Sequence, residues 1–182
     1  MTLRRLHRLN AALLGLFLAL HLSNHAALVL GHAAHTAVME ALRPLYRNSL
    51  VEPALIALFA AQVALGLTLV RRRGRPSGGW ALAQTVSGLW LALFLVQHVG
   101  AVLWSRPDTG TAFAAAVVRD WPLAAYFIPY YIAAVAALAT HLAAARHFAR
   151  HPAPPDRLTR ALPWAGAALG AVIVAGLIGA FG

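Results

Sequence analysis

The chain has 182 residues, of which 60% are hydrophobic and only 11% charged, with a mean hydropathy of +0.68 and a formal net charge of +10. Soluble domains carry roughly 25% charged residues, so this composition belongs to a membrane protein. The absence of cysteine excludes disulfides, thiolate metal sites, iron–sulfur clusters and covalent CxxCH haem attachment, leaving His, Met, carboxylate or backbone to hold any cofactor.

Five apolar segments reach the roughly 20 residues needed to cross a hydrocarbon core: 9–30, 51–70, 80–104, 122–145 and 161–181. The basic "RRLHR" and apolar "AALLGLFLAL" at the start imitate a secretory signal, but the expectation is an uncleaved first span. Breaks follow at "RRRGRPSGG", "SRPDTG" and "RHFARHPAPPDRLTR", where Gly, Pro and charge accumulate. The predicted fold is all-α, a single domain over 1–182 built as a polytopic bundle of five transmembrane helices. Between the first two spans, residues 36–50 ("TAVMEALRPLYRNSL") space their apolar side chains as a short surface helix would, with Pro44 bending it.

Every basic residue is arginine, and alanine is abundant; this usage points to GC-rich bacterial coding and so to a bacterial inner membrane. Cytoplasmic loops collect basic residues. With the N-terminus cytoplasmic, that side holds Arg4, Arg5, Arg8, Arg71, Arg72, Arg73, Arg75, Arg146, Arg150, Arg157 and Arg160. The other side holds Arg43, Arg47, Arg106 and Arg119, together with Glu40, Glu52, Asp108 and Asp120. The positive charge is thus a topology signal, with anionic lipid and the bilayer as its natural partners, and nucleic acid is not expected.

A weak internal repeat appears at an offset of 77: residues 6–21 overlay 83–98, matching Leu14 with Leu91, Phe17 with Phe94 and His21 with His98. At 76, Pro53 matches Pro129 and Ile56 matches Ile132. The overlay sets His21 and His98 at one depth on helices running the same way.

An ionisable side chain within a membrane span marks function by default. In "HLSNHAALVLGHAAH" (21–35), at about 100° per residue, His25, His32 and His35 all fall within about 40° of His21, one stripe if the helix is unbroken. Gly31 is expected to break it. That leaves His21 and His25 buried, with His32 and His35 at the outer surface where water satisfies them. A b-type haem needs two neutral imidazoles at one depth on facing helices, and His98 with His21 or His25 meets that requirement. Repeat symmetry favours His21, and distance from the helix end favours His25. A surface metal site from His32, His35 and Glu40 is a further alternative.

Toward the cytoplasmic side, His141 pairs in depth with His7, for a second haem or a quinone head group. Arg8, Asn10 and Gln84 would offer hydrogen bonds there, and Ser87 is the repeat equivalent of Asn10. The second and fifth spans carry no histidine, which caps the haem count at two and makes one the expectation. "GAALG" (166–170) has the small-xxx-small spacing of closely packed helices.

Three stretches carry a family resemblance. "QTVSGLWLALFLVQH" (84–98) resembles the helix of the cytochrome b membrane anchors of succinate dehydrogenase and fumarate reductase in which Ser/Thr-Gly precedes an apolar run ending in a haem-ligating His. "LHRLN" (6–10) is similar to their "HRxSG" motif, and "THLAAARHF" (140–148) to "HxxxGxRH", one residue short. The resemblance implies His98 and His141 as haem ligands and His7 with Arg8 as propionate or quinone contacts. It also implies a subunit of a membrane redox complex that exchanges electrons with quinone. The chain has no GxGxxG flavin or nicotinamide motif, so it is expected to be an electron-transfer subunit and not a complete enzyme. The rival classes are a haem-free structural or assembly subunit and a small metal or solute transporter.

Overall fold

The computed structural model describes residues 2–106 and 110–181, so Asp108 lies outside the described residues. Within them the chain is all-helical: α1 (Leu3–Ala26), continued by a 3-10 turn (Ala27–Leu30), α2 (His32–Tyr46), α3 (Val51–Arg73), α4 (Gly79–Trp104), α5 (Thr111–Arg119), α6 (Leu123–Ala149) and α7 (Arg157–Ile178). α1 with its 3-10 turn, α3, α4, α6 and α7 are each long and apolar enough to cross a membrane. The protein is therefore a multi-pass membrane protein. Its outer face matches that environment, for Leu13, Leu16, Val96, Trp104 and Trp164 are all left largely exposed.

Two side chains start their helices. Thr2 accepts the backbone N–H of Arg5 at the head of α1. At α7, Asp156 accepts the Thr159 N–H at 2.9 Å and the Thr159 hydroxyl at 2.6 Å, and its second oxygen takes Arg146 at 2.7 Å. Asp156 thereby satisfies otherwise orphaned amides of the first turn while tying α7 to the end of α6. The residues at this end, from Arg4 to Arg8, Arg71 to Arg75 and Arg146 to Arg160, form an arginine-rich end of the bundle.

The tightest helix pair is α6 with α7, and the small residues read from "GAALG" make it so. A Cβ at Gly166 would overlap the Cβ of Ala139, and one at Gly170 would lie 2.9 Å from the Ile132 backbone. The third close approach is at the other end of α7, where Gly176 meets Leu28 of the 3-10 turn. Leu28 is fully buried there among Val117, Val118, Ile173 and Leu177. In contrast, α3 buries no residue below the surface, and the backbones of α1 and α4 scarcely approach each other.

Two elements differ from the sequence expectation. The helix after the first span begins at His32, four residues early, and Pro44 falls in its last turn. Helix α5 was not anticipated; it carries buried Thr111, Ala115, Val117 and Val118 into the end of the bundle away from the arginines. Its Arg119 donates through Nε to the Ile178 carbonyl at 3.0 Å, capping the C-terminus of α7.

Because no side chain can be added at Gly166 without moving α6, Gly166→Ala should cost about 1–3 kcal/mol of stability through overpacking. Gly15→Ala, at a helical glycine with nothing within 4 Å, should be neutral or stabilising by up to about 1 kcal/mol. Denaturation of the two variants in detergent checks the contrast, and equal effects would refute the close packing of α6 on α7.

Candidate functional site

Four histidines meet at the end of the bundle opposite the arginines. His21 and His25 lie one turn apart on α1, with ring centres 4.7 Å apart and planes nearly perpendicular. Across the space between α1 and α4, the His98 ring stands 6.1 Å from that of His21. Each of these two is backed by the aromatic residue one turn before it: Phe17 stacks on His21 at 5.4 Å and Phe94 on His98 at 5.0 Å. The repeat matches the same two pairs, Phe17 with Phe94 and His21 with His98.

The fourth is His35, and here the structure corrects the sequence reading. Gly31 breaks the helix as expected, with φ +91°, a conformation that disfavours any side chain. The turn folds α2 back over the end of α1 instead of releasing it into water. His35 is 2% exposed, and its ring stacks on His25 at 5.2 Å. Asn24 Nδ2 lies 3.3 Å from its Nε2, and its Nδ1 lies 2.8 Å from the Thr111 hydroxyl. With the proton on Nδ1, Asn24 donates to His35 and His35 donates to Thr111, whose hydroxyl is paired with that of Thr36 at 2.8 Å. His32 points elsewhere, its Nε2 meeting the Gly176 and Leu177 carbonyls at 3.0 and 3.2 Å. His32 and His35 therefore diverge, His35 withdrawn from solvent and His32 half-buried. Among the described residues no three His, Asp or Glu side chains converge to hold a bare metal ion.

Against His35, His25 is less complete: its Nδ1 is buried without a hydrogen-bond partner, as is Asn24 Oδ1. Such atoms are costly in an apolar setting unless something meets them.

At the arginine-rich end the structure brings His7 and His141 to one level. His7 Nε2 lies 3.3 Å from the Gln62 amide, and its Cε1 sits 3.4 Å from where a Cβ of Gly66 would be. His141 Nδ1 lies 3.2 Å from the Gln84 carbonyl and 3.3 Å from the Ser87 hydroxyl, with its ring against Gly88. The polar groups around the two imidazoles are already engaged. Asn10 donates to the Leu58 carbonyl at 2.9 Å and to Gln62 Oε1 at 2.7 Å; Gln84 Oε1 accepts from Arg73 at 2.9 Å; the Ser87 hydroxyl donates to the Ala83 carbonyl at 2.6 Å. Arg8 is exposed.

Comparison with models of known protein families, with curated proteins and with solved structures returns no match.

His35 also sets a pH dependence. Burial first, and the neighbouring His32 second, hold its imidazole below the ordinary value of 6.5. The unfolded chain takes up a proton that the folded chain refuses, so this contribution to stability is full above about pH 6.5 and is lost as the pH falls below it. Unfolding profiles between about pH 8 and pH 5 should fall more steeply for the wild type than for His35→Gln, and parallel profiles would refute the assignment. Thr111→Val should cost about 1–3 kcal/mol at neutral pH by stranding the His35 N–H.

Proposed function

We propose that the protein is a b-type haem-binding membrane subunit that passes electrons to or from quinone as the anchor of a respiratory-type redox complex. The observation that carries this reading is the placement of His21 and His98 at one level on α1 and α4. His21 and His98 would each offer one imidazole nitrogen to a haem iron. The rings here stand 6.1 Å apart. The sparse approach of the α1 and α4 backbones leaves their separation to side chains, which is what a flat group between them requires. The donor set therefore fits a haem held by His98 with His21, or with His25, whose Nδ1 lacks a partner. His21 is the better supported of the two, because the His25 ring is stacked on His35.

A haem held there would supply one-electron carriage. The chain's own part is to orient both imidazoles through Phe17 and Phe94 and to close the end of the site with α2. His7 and His141, with Arg8 at the same end, are the residues for a second haem, but His141 is bonded to α4 and His7 to Gln62, so one haem is the expectation. The arginine-rich end faces the cytoplasm of a bacterial inner membrane in this reading, by the bias of basic residues toward that side. It offers a cationic face to anionic lipid and to the soluble subunits of the complex.

The test is a dithionite-reduced minus oxidised spectrum of the purified, haem-supplied protein, with haem quantified per chain. A b-type α band and Soret shift are expected at about one haem per chain, and His98→Ala should abolish them. His21→Ala should abolish them as well, whereas His25→Ala should retain the band. A folded, haem-supplied preparation without the band would leave a haem-free structural subunit, its histidines serving only to pack helices.

A further inference from the structure

The His98 ring has a second neighbour. It lines a cavity of about 310 Å³ between α4 and α6, together with Gln97, Ala101, Tyr126, Phe127, Tyr130 and Tyr131. We infer that this cavity receives the head group of a lipid-soluble quinone, an inference that rests on the haem reading for its redox partner but not for binding itself.

Three features of the cavity set this ligand class. Its walls are aromatic: Tyr130 is stacked with Tyr126 at 5.3 Å and lies 5.0 Å from Phe94, giving a flat ring flat surfaces to pack on. Its volume is at the lower end of small-molecule sites, about 300–1,000 Å³, which suits one or two fused rings. Its polar groups stand where lipid would otherwise be. Tyr126 is 51% exposed and neighbouring Val96 65% exposed, so the cavity opens sideways from the bundle within a stretch of apolar surface. Tyr126 donates its hydroxyl to Gln97 Oε1 at 3.1 Å, which leaves the Gln97 amide hydrogens to donate. Uncompensated donors at a lipid-facing position are expensive, and a quinone carbonyl would accept from them while its ring packs on the aromatic walls. Deeper in the same face, Trp90 Nε1 is buried without a partner beside Tyr130.

The sequence reading placed a quinone at Asn10, Gln84 and Ser87. Those groups already bond within the bundle. They also lie eleven (Asn10, Ser87) or fourteen (Gln84) residues along their helices from His21 or His98, about 16 Å or more at 1.5 Å per residue. A cavity wall formed by His98 itself puts the ligand directly against the residue that would hold the haem.

Photolabelling of the full chain in lipid nanodiscs with an azido-substituted ubiquinone tests this, run on haem-loaded and haem-free protein and competed with decylubiquinone. Label is expected on residues 94–101 and 123–131, and Gln97→Leu should weaken decylubiquinone binding about tenfold. Tyr126→Phe, which keeps the ring and its stacking, should weaken it by a smaller factor and guards against misfolding of the first variant. Label confined to residues 7–10, 62–66 or 84–87, no competable label at all, or unchanged binding in both variants would overturn the inference. Cavity labelling in a protein with no haem band would sustain it while removing the haem reading; a haem band with label elsewhere would do the reverse.

Discussion

An imidazole withdrawn from water must find a partner, and most of the chain's nine histidines lie in the spans or against them. Most of the arrangement of this bundle can be followed from where they go. His32 takes the last carbonyls of α7 and so fixes α2 to the far end of the bundle. His35 takes Thr111 and brings in α5. His7 and His141 reach across to α3 and α4, each into a space kept open by a glycine, Gly66 for the first and Gly88 for the second. His147 stacks on Trp80 and joins α6 to α4. The histidines thus connect helices whose apolar surfaces alone would pack in many registers, because Leu and Ala against lipid tails give little preference for one partner.

His21, His25 and His98 behave differently. They contact mainly one another and aromatic rings, and His25 keeps an unpartnered nitrogen. His7, His32, His35 and His141 each bond an amide, carbonyl or hydroxyl of another helix, although His7 also keeps a buried, unpartnered Nδ1, whereas His21, His25 and His98 are gathered by ring contacts. Packing accounts for the first kind of histidine. The second kind is why the proposed haem is placed at this end and not between His7 and His141.

The spans were legible because hydropathy over twenty residues is a strong signal, and the glycine spacing of "GAALG" gave the contact face of α7. The bounds shifted outward at the arginine-rich end, where α1, α3 and α6 continue as helix into the basic residues; a hydropathy window stops where charge begins, while backbone hydrogen bonding does not. What stayed hidden depends on tertiary direction. Gly31 marks a break in any reading of the sequence, but its positive φ, which turns α2 back onto α1, is a property of one backbone angle. His35 looked like a residue bound for water for that reason alone. Helix α5 is nine residues long, short of anything that propensity would hold by itself, and exists through the burial of Val117 and Val118 beside Leu28. The aromatic wall of Tyr126, Tyr130 and Tyr131 was present in the sequence, but its i, i+4 and i+5 spacing is equally that of an interfacial belt. Only the position of α4 beside it separates the two.

Cohesion and openness are divided between the two halves of the molecule. α6 and α7 meet backbone to backbone through Gly166 and Gly170, and Leu28 locks the far end against Gly176. Dispersion at that distance is strong because many atoms meet at once, and the capping of α7 by Asp156 and Arg119 fixes the register of the pair. α1, α3 and α4 have no such zipper. α3 is held to α1 by Asn10 and Gln62 and beside α4 through Arg73 with Gln84, while Glu52 and Arg106 close the opposite end as an ion pair. Polar ties at the two ends of a helix fix its position without demanding that its middle touch a neighbour. The part of α1 away from the arginines can then face α4 across side chains alone, and in that gap His21 and His98 meet.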